Sequence, residues 1–235
     1  MKTQAILRTA FLAICMASAF TIKAQPEAGT FSLIPKAGIS SASLTNVPVI
    51  LVEDPDITIK RSFFPGFYVG ADFDYQVSDR MAVSAGLGYS FQGCTWRDYE
   101  SPKVEIRDFK IKLGYLHLPL TASFYAFDDF AIHTGFQFSY LTHAKMQGSI
   151  YDHTFFDPLK DKTPAKIDED IHDNLHHLDV SIPIAVSYEF DNNLIISAQY
   201  NVGITKINKK SFLVTEDMRN RAVMLTVGYK FALNP

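Results

Sequence analysis

Residues 81–92 read Met81-Ala82-Val83-Ser84-Ala85-Gly86-Leu87-Gly88-Tyr89-Ser90-Phe91-Gln92. In a β-strand successive side chains point to opposite faces. Met81, Val83, Ala85, Leu87, Tyr89 and Phe91 therefore share one face, and Ala82, Ser84, Gly86, Gly88, Ser90 and Gln92 the other. The period is two, not the 3.6 of a helix. One face carries almost no polar atoms; the other is small and polar.

The same pattern recurs on both sides of this stretch, over about 31–40, 67–77, 114–126, 130–141, 177–190, 194–204 and 222–231. That makes eight strands. Three connections are tight and polar: Ser78-Asp79-Arg80, Phe127-Asp128-Asp129 and Asp191-Asn192-Asn193. The other four are long, at about 41–66, 93–113, 142–176 and 205–221. Short and long alternate along the chain, as in an outer-membrane barrel with short periplasmic turns and long outer loops. The expected fold is an all-β, eight-stranded antiparallel up-and-down transmembrane barrel.

Alternation alone does not say which face is outside. A lipocalin-like soluble barrel would turn the apolar face inward. Glycine favours the membrane reading: Gly38, Gly70, Gly86, Gly88, Gly135, Gly203 and Gly228 all lie on the polar face. An eight-stranded barrel has an interior just wide enough for side chains to fill it. Small residues among Lys36, Asp72, Asp74, Asp179, Glu189 and Lys230 suit such a lumen. The opposite face is one that lipid tolerates and water does not. Tyr75, Phe124, Tyr125, Tyr188, Phe190, Tyr229 and Phe231 are expected at the periplasmic interface, and Tyr89, Phe91 and Tyr140 at the outer one. Pro119 and Pro183 fall mid-strand, where a residue without N–H predicts a bulge or missing ladder bonds.

Lys2 and Arg8 precede an apolar run from Ala10 to Phe20, and Ile22-Lys23-Ala24 offers a cleavage site before Gln25. Residues 1–24 read as a cleaved signal peptide and 25–235 as the barrel domain. No later segment has the roughly 20 continuous apolar residues of a spanning helix. Losing Lys2, Arg8 and Lys23 takes the formal charge from −3 to −6, which argues against nucleic acid as a partner. Cys15 lies in the signal, with a bulky Ile14 before it where a lipoprotein anchor has a small residue. Cys94 then stands alone, so no internal disulfide is expected.

Taken in order, several stretches resemble the PorT-like outer-membrane β-barrel family. They are PKAGIS at 35–40, PGFYVGADFDYQVSDRMAVSAGLGYSFQG at 65–93, YLHLPLTASFYAFDDFAIHTGFQFSYLTHAK at 115–145, AQYNVGITKIN at 198–208 and VMLTVGYKF at 223–231. The resemblance implies an outer-membrane barrel, in a family linked through its founding member to a protein-secretion machinery. The tail from Ala232 to Pro235 departs from the pattern, since such barrels usually stop at the final aromatic.

Chemistry-bearing residues gather in the third long connection. His143, His153, His172, His176 and His177 lie in or beside it, among many acids. His172 and His176 stand four apart in HDNLHH, a spacing that would share a helix face, and form the candidate metal pair. The alternative is a solvated surface loop. The lumenal charges are expected to pair with one another. Ser139 and His143 near a strand end do not make a mechanism, and no nucleophile elbow or phosphate-cradling loop is present. The reading is a non-enzymatic barrel without cofactor, with a filled lumen and outer loops that contact proteins or surface polymers. Its partners would be the outer-membrane bilayer, the barrel-assembly machinery during biogenesis and other envelope proteins. Two alternatives stay open: an accessory component of an outer-membrane secretion system, and a small lipid-modifying barrel enzyme.

Overall fold

A computed structural model describes residues 28–46, 61–100, 104–152, 164–209 and 217–233. The signal segment lies outside the described residues. The strands are β1 (Phe31–Leu44), β2 (Arg61–Ser78), β3 (Met81–Trp96), β4 (Tyr99–Glu100), β5 (Val104–Phe127), β6 (Phe130–Asp152), β7 (Ala165–Asp170), β8 (Leu178–Glu189), β9 (Leu194–Gly203), β10 (Asn220–Tyr229) and β11 (Phe231–Ala232). Eight of them form a ring in the order β1-β2-β3-β5-β6-β8-β9-β10, every pair antiparallel. Lys36 to Leu44 of β1 pair with Gly228 to Asn220 of β10 and close it. β11 continues the last strand after a break at Lys230 and pairs Ser32 and Leu33.

The faces fall as the alternation requires. Met81, Val83 and Leu87 of β3 are exposed, while Ala82, Gly86, Gly88, Ser90 and Gln92 are buried. Phe73, Leu116, Leu118, Phe136, Ile184, Val223 and Leu225 extend the same apolar band around the ring. From Met81 to Phe91 the chain takes ten steps, about 33 Å along the strand. At a tilt of 35–45° that becomes about 25 Å, the height of the apolar band of an outer-membrane barrel.

Glycines on the inner face make room for larger neighbours. A Cβ on Gly88 would sit 2.3 Å from the Tyr68 hydroxyl, and one on Gly86 2.2 Å from Asp72 Oδ1. Both prolines act through missing ladder pairs rather than bulges. β3 and β5 pair at Ala85↔Leu120 and again at Gly88↔His117, with one register and a gap at Pro119. β6 and β8 pair at Thr134↔Ile184 and Gln137↔Ser181, with the same kind of gap at Pro183.

Three expectations need correction. The connections at 93–113 and 142–176 are in large part strand, because β5 begins at Val104 and β6 runs to Asp152. These two strands continue beyond the lipid band as a tall hairpin. β7 joins its β6 side and β4 its β5 side. The aromatic band is also one residue smaller than expected. Tyr125 is buried and packs with Ala82 and Ala131, because its neighbour Phe124 takes the outward position. Finally, the strand ends at 31–40, 67–77 and 81–92 extend to Leu44, Arg61 and Trp96, and Leu44, Cys94 and Trp96 of β1 and β3 bury in an outer core.

Candidate functional site

The ring interior is a polar lattice. Lys36 Nζ meets Asp72 Oδ2 at 2.5 Å, and Lys230 Nζ meets Glu189 Oε2 at 3.0 Å. The ion pairs remove the cost of isolated charge inside the wall. Two histidines are each bracketed by serines. His117 lies 2.7 Å from Ser90 and 2.8 Å from Ser139, and His133 lies 2.7 Å from both Ser123 and Ser187. Tyr68 and Tyr115 each stack on His117. Gln92 bonds Ser90 and Asn220, Gln199 bonds Asn201, and Thr205 bonds Asp179. The cavity left in this lattice is only about 70 Å³, bordered by Lys36, Asp72, Asp74, His133, Glu189 and Lys230. That is space for a few waters and no more.

Above the lattice the interior turns apolar. Leu44, Cys94, Trp96, Ile106, Ile111, Leu113, Tyr115, Leu141, Met146, Ile171, Leu175, Ile207 and Met218 form one buried cluster. Residues from β1, β3, β5, β6 and the segments flanking β8–β10 meet there, and the cluster caps the outer end of the lumen.

Two bulges make this possible. At the first, β5–β6 pairing runs Tyr115↔Leu141 and then Gly114↔His143, so Thr142 is an extra residue on β6. Its hydroxyl donates to the Gly114 carbonyl at 3.0 Å. The extra residue reverses which residues of β6 face inward. Ala144 and Met146 turn into the core and Lys145 turns out. At the second, Asp108 sits with φ 55° between the Arg107↔Ser149 and Lys110↔Gln147 pairs, and the reversal brings Ile106 into the core. Phe109 then lies on Trp96 at 5.0 Å, edge to face.

Outside this cap lies an open groove of about 460 Å³, lined by Thr142, His143, Ala144, Asp170, His172 and Asp173. One ligand atom from each of His172, Asp173 and His177 lies within 4.8 Å of the other two.

A closed eight-strand ring with an apolar outer face and a filled polar interior matches one family in sequence as well. The outer membrane protein beta-barrel domain family matches residues 23–209. This chain belongs to that family. The barrel is also similar to solved structures of low sequence identity. Ail, the attachment invasion locus protein of Yersinia pestis, is 15% identical over 87% of this chain and 99% of its own, with a TM-score of 0.43. Neisserial surface protein A is 15% identical over 86% and 97%, TM-score 0.39. OprG of Pseudomonas aeruginosa is 12% identical over 89% and 99%, TM-score 0.40. No curated protein matches the chain. The fold of this outer-membrane barrel rests on its own strand pairing and on the family match.

The histidines of the third connection part company in the barrel. His172 opens a 3₁₀ turn, His172–Asn174, and its ring stacks on His177 at 4.3 Å. His176, the other member of the expected pair, is not in that cluster of ligand atoms, because the turn is too short to place residues four apart on one face. His143 lines the groove, and His153 lies outside the described residues. Ser139 is lumenal and bonded to His117, so it does not meet His143. The Ser–His–Ser brackets were missed in the sequence. The signal was there: His117 and His133 fall on the polar face of their strands.

Proposed function

We propose that this outer-membrane barrel is a non-enzymatic docking protein, with its lumen serving as a rigid support rather than a channel. The observation that carries the reading is the capped, folded extension of β5 and β6. Counting from Leu116, it rises about 35 Å along the strand above the lipid-facing residues. A barrel that served only to permeate would gain nothing from an apolar cap over its own lumen. Catalysis is disfavoured for a related reason. The lumenal Ser–His pairs sit in a filled lattice, where a cavity of about 70 Å³ admits no lipid or polymer to react. The partners in this reading are envelope proteins or surface polymers that meet the outer hairpin.

The ordered motifs at 65–93 and 115–145 support a finer placement among PorT-like barrels, with a secretion system as one source of partners. The test is affinity capture of the intact barrel from detergent-solubilised envelopes, with and without the outer part of the β5–β6 hairpin. Partners that depend on the hairpin support docking. Identical capture by both proteins, or a reproducible wide-pore conductance in planar bilayers, overturns it.

A further inference from the structure

We propose that His172, Asp173 and His177 form a binding site for a divalent transition ion, with zinc as the representative, on the outer wall of the barrel extension. The proposal does not depend on the docking reading. Each part of the site is fixed by the chain around it. Ile171 and Leu175 anchor the short turn by burying in the outer core. Backbone bonds hold it on both sides: Ile171 N donates to the Ala144 carbonyl at 3.1 Å, and His176 N to Ile207 at 2.7 Å. Leu141 N donates to the His177 carbonyl at 2.7 Å. Two residues five apart are thereby brought ring to ring.

The hydrogen bonding then sets the ligand atoms. His172 Nε2 lies 3.1 Å from the Leu141 carbonyl, which can only accept, so Nε2 carries the proton. Nδ1 is left with its lone pair, 3.8 Å from Asp173 Oδ1. This arrangement, with one imidazole nitrogen tied to a carbonyl and the other free, is that of metal-ligating histidines. His177 Nε2 is shielded from water and has no hydrogen-bond partner among the described residues. An unbonded, shielded imidazole nitrogen is costly unless something is supplied to it.

The size is right for a small ion with nitrogen and carboxylate ligands. Zn–N and Zn–O bonds of about 2.0–2.2 Å place tetrahedral ligands about 3.3–3.5 Å apart. Separations of up to 4.8 Å close to that by small rotations of the side chains, the exposed Asp173 most easily. Two imidazoles and one carboxylate suit zinc or copper over calcium or magnesium, which prefer all-oxygen sites. Three protein ligands leave a fourth position open to the groove, where a water or a partner's side chain would complete the shell.

The test is zinc titration, by calorimetry, of the intact tag-free barrel in detergent. The expected result is one saturable site, weakened about tenfold or more in both His172→Ala and His177→Ala. Asp173→Asn, a change on an exposed side chain that leaves the fold alone, should also weaken it. His176→Ala should bind as the parent does. Heat-dependent gel mobility checks that each variant is folded. Binding that is unsaturable in the parent overturns the proposal. So does equal affinity in the parent, His172→Ala and Asp173→Asn, or a loss in His176→Ala as large as in His177→Ala.

Discussion

Strand β5 is two strands in one. Below Tyr115 its outward residues are Leu116, Leu118 and Leu120, and its inward ones His117, Thr121 and Ser123. Above Tyr115 the outward residues are Lys112 and Lys110, and the inward ones Leu113 and Ile111. The backbone direction is unchanged, yet the chemistry of the two faces exchanges. The cause is the solvent. In lipid the apolar side chain belongs outside and polar groups must pair within. In water the apolar side chain belongs inside. The residue at which the pattern inverts therefore marks the outer boundary of the membrane more sharply than the aromatic residues do.

Deleting Thr142 and His143 together should have the largest effect on that contrast. Regular alternation from Leu141 would then turn Ala144 and Met146 outward and set Lys145 opposite Leu113, in the core, whereas deletion of Thr142 alone would leave each of them with its present partner. The upper hairpin should lose its fold while the lipid-embedded ring survives. Limited proteolysis of the barrel in vesicles should then cut within the upper half of β6, with heat-dependent gel mobility retained. A deletion variant as protease-resistant as the parent would show that the bulge does not set the inversion.

Truncating the cap comes next. Leu113 is fully buried, so Leu113→Ala should destabilise the outer core by about 2–5 kcal/mol. Trp96 is the one tryptophan of the chain and lies in that core, so its fluorescence reports this region alone. It should change at lower urea than the gel mobility does. Coincident shifts of both signals would mean that the cap and the ring unfold as one unit.

Leu87→Arg probes the other side of the boundary. Leu87 faces lipid near the middle of β3. A charge there should cost about 2–4 kcal/mol near the midplane. The loss should show in gel mobility against urea in lipid vesicles. A variant as stable as the parent would reverse the assignment of faces.

The ring was legible in the sequence and the extension was not, for a definite reason. Reading period two along a chain assumes one solvent and an unbroken parity. Both hold from Met81 to Phe91. Both fail at Gly114 and Thr142, where apolar residues change sides and a bulge shifts β6 by one. Residues 142–152 consequently scan as an irregular polar stretch although they are strand. The histidine brackets were hidden by another single residue. A plain two-residue turn at Asp128-Asp129 would set Phe124 opposite His133. The register shift between Tyr125 and Phe127 sets Ser123 there instead. His177, not His176, meets His172 because a four-residue spacing shares a face only on a helix, and here the chain makes one 3₁₀ turn and then extends.

The smallest predicted effect tests where lipid ends. Lys112 and Lys145 are direct cross-strand partners on the outer wall, four residues above Leu116. Like charges directly opposite one another are unfavourable. Lys145 is offset by Asp168 at 3.8 Å. If this level is water, Lys112→Leu removes a weak repulsion and exposes one apolar side chain. The net change should stay within about 0.5 kcal/mol, measured by urea titration in vesicles. If lipid reached this height, the same change would replace a charge in the bilayer by a leucine and stabilise the barrel by more than about 1 kcal/mol. A gain of that size would move the boundary above Lys112. The inversion at Tyr115 would then be a feature of the core alone, and not a record of the solvent outside.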